Sequence, residues 1–150
     1  MSEDRSRGCR RMAGKAVVMG GAGTGNGRAT ALRLGGEGAA VVAGSLASEQ
    51  ALIDSLVAEI ASAGGTGVGL AFDATDEASI KALVDRAVAE FGGLDAVHAN
   101  FADLGVIFED SDILSVNDAV LERPLDVNLK GMVRITRHAL PHHEIGRAHV

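Results

Sequence analysis

Two kinds of segment alternate along this chain. Short apolar runs fall at residues 16–20 (AVVMG), 39–44 (AAVVAG) and 67–72 and read as strands, and 94–100 (LDAVHAN) is a fourth strand candidate. Between them lie longer stretches whose apolar residues recur at helical spacing. Residues 26–36 offer Ala29, Ala31, Leu32 and Leu34 for packing. The segment SEQALIDSLVAEIASAG offers Leu52, Leu56 and Ile60, with Ser48 as its expected cap and Gly64-Gly65 as its stop. Residues 76–91 carry Ile80, Leu83, Val84, Ala87, Val88 and Phe91, closed by Gly92-Gly93. After a less regular stretch, 101–117, a last helix is expected from Asp118 or later to about His138. Pro124 lies in its first part or divides it in two, because proline lacks the amide of an interior helical bond.

Strands alternating with helices predict an α/β fold, with a Rossmann-like parallel sheet covered by helices on both faces. Right-handed crossovers place the loops that follow the strands along one edge of that sheet. At 150 residues a single domain is expected, and no internal linker is visible. The 47% hydrophobic content is ample for a core, yet no window approaches 18 uninterrupted apolar residues, so a membrane span is not expected. A net charge of −6 argues against a general nucleic-acid binder. The one cysteine, Cys9, excludes an intramolecular disulfide and fits a reducing, cytoplasmic compartment. Residues 1–14, rich in arginine, read as a flexible leader, with Met12 as an alternative start.

The first strand runs into GGAGTGNG, residues 20–27, where so many glycines would ruin either a helix or a strand. In a strand-to-helix turn they serve a purpose. Glycine adopts backbone angles closed to other residues, and missing Cβ atoms let a diphosphate approach the backbone. The amides at the start of the next helix then face the phosphates. The residues nominated for that site are Gly21, Thr24, Gly25, Asn26 and Gly27.

The segment GKAVVMGGAGTGNGRATALRLGGEGAAVV resembles the opening of the short-chain dehydrogenase/reductase family, whose motif is TGxxxGxG, with Gly20 standing in place of the threonine. Residues 72–100 are similar to the family's third-strand acidic residue, the helix after it and the FGxLDxLVNNAG stretch. Residues 125–142 (LDVNLKGMVRITRHALPH) are similar to its VNLxG segment. The resemblance implies that residues 15–143 are the N-terminal part of a dinucleotide-binding domain and that the cofactor is NAD(P), with Asp73 accepting from the adenine amino group and Asn100 beside a cofactor ribose. Asn128 would help hold the catalytic lysine and a water in a proton relay. Near Asn100 this chain reads Ala99-Asn100-Phe101-Ala102 where the family usually has NNAG. NAD-preferring enzymes commonly place a carboxylate at the end of the second strand. Here that position is Gly44, followed by Ser45, which leaves NADP slightly ahead of NAD.

The family's proton transfer uses a tyrosine activated by a lysine four residues later, together with a serine; a free phenol has a pKa of about 10 and needs a nearby cation. This chain contains no tyrosine. His98 reads as structural, and His138, His142 and His143 do not form a metal-binding motif. Asp103, Glu109, Asp110 and Asp112 read as a solvated acidic loop. No metal site is therefore expected. Residues 144–150 (EIGRAHV) can be written GAG ATC GGA AGA GCA CAC GTC, a string that resembles a sequencing adapter preceded by one base. They are expected to be adapter-derived, with the fold cut off after about four strands and the fourth long helix. The reading that follows is a fragment of an NAD(P)-dependent oxidoreductase acting by hydride transfer on an alcohol or carbonyl, inactive as given. Its parent would take a small-molecule substrate and form a homodimer or homotetramer. A noncatalytic nucleotide-binding or interaction protein, and a fragment of an extended NAD-utilising sugar epimerase, remain as alternatives.

Overall fold

The computed structural model describes residues 10–106, 108–109 and 112–143. The rest of the expected leader (1–9), the expected adapter-derived tail (144–150) and Asp110 of the acidic loop lie outside the described residues. The order of elements is β1 (Ala16–Gly20), α1 (Gly25–Gly36), β2 (Ala40–Ser45), a 3₁₀ turn (Ala47–Glu49), α2 (Gln50–Ser62), β3 (Thr66–Ala71), α3 (Glu77–Phe91) and β4 (Ala96–Ala99). Then come α4 (Asp118–Pro124), a π-helical segment (Leu125–Lys130), α5 (Gly131–Ala139) and a 3₁₀ turn (Leu140–His142).

The four strands form one parallel sheet in the order β3-β2-β1-β4. Gly20 lies opposite Gly44 on one side and Ala99 on the other, so the strands end together at their carboxyl edge. Alternate residues of each strand serve opposite faces. Val17, Met19, Val41 and Ala43 pack with Ala31 of α1 and Ile53, Leu56 and Ile60 of α2. Val18 and Val42 pack on the other side with Ile80, Leu83, Val84 and Ala87 of α3 and Ile135 and Ala139 of α5. All five residues of β1 are buried, as a strand covered on both faces requires. The sheet and its two helical layers make the α/β, Rossmann-like architecture that the alternation of segments predicts.

Three details differ from the sequence reading. In α2 the buried stripe is Ile53, Leu56 and Ile60, whereas Leu52 is 40% exposed. Ser48 does not cap that helix; it lies inside the 3₁₀ turn, and Glu49 stands at the cap position with no side-chain cap bond. In α1 only Ala31 of the four expected residues is fully buried, Ala29 being exposed and Leu32 and Leu34 packing at the margin. The last helix is divided, one of the two arrangements that Pro124 allows. Pro124 closes α4, and the chain widens into the π-helical segment before α5. A proline next to a π segment is a common cause of such a break. By contrast, α3 follows its expected stripe and stop: Ile80, Leu83, Val84 and Ala87 are buried and Gly92 ends the helix at φ 79°, while the Asp76 carboxylate caps it by accepting from the amide of Ala78 (2.9 Å).

The chain ahead of β1 is docked on the end of α1. The amide of Met12 donates to the Glu37 carbonyl (3.1 Å), and the Arg11 guanidinium grips the Glu37 carboxylate at 2.8 and 2.5 Å. Arg33 adds a third bond from within the helix (2.5 Å). The Arg11 hydrogen bond, opposed by burial and reinforced by Arg33, holds the Glu37 carboxyl down from 4.5 to about 2.

Candidate functional site

The glycine loop bridges the end of β1 and the start of α1. Gly21 lies at φ 80°, a conformation that favours glycine. Its amide and that of Ala22 donate to the Gly44 carbonyl (2.8 and 2.9 Å), which ties the loop to β2. A Cβ on Gly21 would lie 2.5 Å from the Asn100 carbonyl oxygen, and one on Gly27 would lie 2.0 Å from the Gly21 carbonyl oxygen and 3.0 Å from the Asn100 side-chain nitrogen. Gly21, Gly27 and Asn100 therefore form one tight junction, with the Asn100 amide donating to the Gly20 carbonyl (2.8 Å). This junction draws the first turn of α1 down onto the sheet edge.

At the mouth of the loop the backbone is open. Thr24 is exposed in an extended conformation ahead of α1, without a side-chain cap bond. Gly25 lies at φ 55°, with open space where a Cβ would be. Asn26 is exposed beside it. The bond from the Arg28 amide to the Thr24 carbonyl (3.2 Å) opens the helix, so the amides of Gly25, Asn26 and Gly27 precede it. Amides so placed at the end of a 12-residue helix favour an anion.

A groove of about 430 Å³ runs over this loop, bounded by Gly21, Thr24, Asn26, Ser45, Glu49 and Asn100 among others. It continues into a pocket of about 520 Å³ that shares Gly21, Ser45, Leu46, Phe101 and Ala102 and adds Asp73, Asp103 and Arg123. The two together span the carboxyl ends of β1 and β4, where the strand order reverses; open α/β sheets bind ligands there. Asp73 lies in the wall of the second pocket, its Oδ1 accepting from the Thr75 amide (2.8 Å) and hydroxyl (2.7 Å). Gly44 is covered: a Cβ there would meet Leu83 at 2.7 Å and Phe72 at 2.8 Å, so its part in the groove is the carbonyl that holds the loop. Ser45 is buried at the groove wall, and its hydroxyl donates to the Glu49 carboxylate.

Asn128 falls in the π-helical segment, and its Oδ1 accepts from the Asp103 amide (2.8 Å). It thereby ties the loop after β4 to the last helical unit. The Asp103 carboxylate pairs with Arg123 of α4 and accepts from the Gly105 amide (2.8 Å). Asp126, beside them, loses solvation beneath the fold, but the Arg134 hydrogen bond (3.1 Å) and the charges of Arg134 and Lys130 outweigh that and hold its carboxyl below the ordinary range. His98 lies in β4, and His138 approaches Glu77 at 3.2 Å. Among the described residues no three His, Cys, Asp or Glu side chains group closely enough to hold a metal ion, and no helix is long and apolar enough to cross a membrane.

The groove fits a dinucleotide. Its glycines leave a cradle that side chains would fill, its open amides suit phosphate, and its two lobes adjoin. Sequence reasoning passed over Glu49, the carboxylate of the groove wall. The signal was a carboxylate four residues after Ser45, within reach once a 3₁₀ turn follows the strand.

The short chain dehydrogenase family model matches residues 15–149, and the chain belongs to that family. It is 36% identical to cis-4-hydroxycyclohexanecarboxylate dehydrogenase of Sinomonas cyclohexanicum over 85% of this chain and 49% of that protein. It is 31% identical to 3-oxoacyl-[acyl-carrier-protein] reductase FabG of Thermotoga maritima over 88% of this chain and 51% of the relative. Among solved structures it superposes on a short chain dehydrogenase from Burkholderia cenocepacia in complex with NADP, with a TM-score of 0.78 and 27% identity, covering 89% of this chain and 52% of the other. The chain thus spans about half the length of the curated relatives it matches.

Proposed function

We propose that this chain is the dinucleotide-binding part of an NAD(P)-dependent oxidoreductase that acts by hydride transfer on the alcohol or carbonyl of a small molecule. The observation that carries the reading is the junction of Gly21, Gly27 and Asn100, which brings the open amides of α1 to the end of β1. Family membership and the NADP held by a structural relative support it. The nicotinamide, when bound, supplies the hydride chemistry. The chain's own residues bind and orient: the amides of Gly25, Asn26 and Gly27 receive the diphosphate, with Thr24 beside it. Asp73 faces the adenine side, Ser45 the adenosine ribose side, with the Gly44 carbonyl holding the loop behind it, and Asn100 the other ribose. Asn128 holds the loop that borders the reacting end.

The 150 residues contain no tyrosine, so the phenol of the family's proton relay is not among them. This chain alone is proposed to bind nucleotide without turning over substrate. A noncatalytic nucleotide-binding role draws on the same fact. Of the two nucleotides, the lack of a carboxylate at Gly44 and Ser45 speaks for NADP, whereas the approach of Glu49 to Ser45 speaks against it. A homodimer or homotetramer of the longer parent is supported by an exposed apolar row along the last helical unit of this chain, Leu121, Leu125, Leu129 and Val133.

The test is fluorescence titration of the folded chain with NADH and NADPH, beside a Gly27→Val variant. Saturable binding of at least one nucleotide is expected, weakened about tenfold or more in the variant, equivalent to about 1.4 kcal/mol. Binding of neither nucleotide to folded protein refutes the reading. Sedimentation of the same samples tests the assembly, which a strict monomer at micromolar concentration would contradict.

A further inference from the structure

The groove wall opposite the glycine loop carries a carboxylate that no strand-end residue supplies. β2 ends at Ser45, whose side chain is buried, and the 3₁₀ turn 47–49 brings the chain back so that Glu49 reaches the Ser45 hydroxyl. A Cβ on Gly23 would stand 2.5 Å from Glu49 Oε2 and 3.0 Å from Ser45 Oγ, so this pair lies directly against the loop. The same groove contains the amides of α1, and among the described residues that line it there is no lysine or arginine. Arg123, the one cation among the described residues of the adjoining pocket, is paired with Asp103.

We infer that Glu49, oriented by the Ser45 hydroxyl, is the residue that selects between the two nicotinamide dinucleotides, accepting the adenosine ribose hydroxyls of NAD(H) and repelling the 2′-phosphate of NADP(H). The inference rests on the dinucleotide reading of the groove. Its physical basis is that a carboxylate accepts from neutral hydroxyls but meets a phosphate dianion as a like charge, and none of the described residues lining the groove is a cation that would offset it. Selectivity of this kind comes from the repulsive element as much as from the attractive one. Glu49 is placed to do this from four residues beyond the strand, because Ser45 holds its carboxylate over the strand end.

The test compares NADH and NADPH affinities of the 150-residue chain by fluorescence titration at low salt, with a Glu49→Gln variant, whose amide oxygen still accepts from Ser45. The wild type is expected to bind NADH about tenfold or more tighter than NADPH, and the variant to close most of that gap through tighter NADPH binding. Raising ionic strength on the wild type provides a readout without mutation. Repulsion by Glu49 predicts that the gap narrows as screening increases, whereas a basic 2′-phosphate site predicts that it widens. NADPH binding as tight as NADH by the wild type, or a ratio unmoved in a variant with unchanged circular dichroism, overturns the inference and leaves the dinucleotide reading standing. Failure of the folded chain to bind either nucleotide overturns both.

Discussion

Gly20 and Phe101 stand where the family usually has threonine and alanine, and in the structure the two departures meet. The Phe101 ring lies 3.0 Å from where a Cβ on Gly20 would be, and 2.9 Å from the same point on Gly131. It also packs on Phe72, the centroids 5.2 Å apart at 51°. One aromatic ring thus occupies space vacated by two glycines. Restoring the threonine alone should overpack this junction. We expect Gly20→Thr to cost about 1–3 kcal/mol in urea unfolding, and Phe101→Ala to cost about 2 kcal/mol through lost burial. The double variant Gly20→Thr/Phe101→Ala should be more stable than the two losses predict by addition, with a coupling of about 0.5–3 kcal/mol. Strict additivity would mean that the two positions do not compensate each other. Each substitution is visible in the sequence as a departure from a motif. Their mutual contact is not, because 81 positions (101 − 20) separate them along the chain.

At the scale of elements, legibility followed local chemistry. Residues 76–91 carry their own apolar stripe and stop, and α3 obeys both. The segment after β2 is different. Leu52 and Ile53 are equally apolar neighbours, and which of them faces the sheet depends on the phase at which α2 begins. The 3₁₀ turn sets that phase, and it also moved the cap away from Ser48. The last unit shows a break that Pro124 announces but does not describe: the π-helical geometry carries Asn128 to the Asp103 amide. Because the acceptor is Oδ1, Asn128→Ala should cost about 1–2 kcal/mol, the amide having lost a partner at a half-buried site. Asn128→Asp keeps an acceptor and should cost less. Chemical denaturation of both variants checks this, and equal losses would show that the bond to Asp103 does not carry the effect.

Across the whole molecule, the sheet separates two cores that share no helix. α1 and α2 cover one face, α3 and α5 the other. Strand and helix alternation makes this layering legible, whereas the order β3-β2-β1-β4 depends on crossover direction and on pairing between distant segments. The groove draws its walls from both layers at the point where that order reverses: the glycine loop and Glu49 lie on the α1/α2 side, and Phe101 to Asp103, tied by Asn128, lie toward the last helical unit. A nucleotide spanning the groove would therefore contact parts of both layers and should stabilise them as one. At a free concentration of 100 times Kd, linkage adds about 2.7 kcal/mol to stability. For a chain of this size, each kcal/mol corresponds to roughly 2–4 °C, so the preferred nucleotide should raise the melting temperature by about 5–10 °C. Hydrogen exchange should slow in the same titration both at Gly21–Gly27 and at Asn100–Asp103. Protection confined to the glycine loop would place the ligand on one layer alone, and would contradict a dinucleotide lying across the ends of β1 and β4.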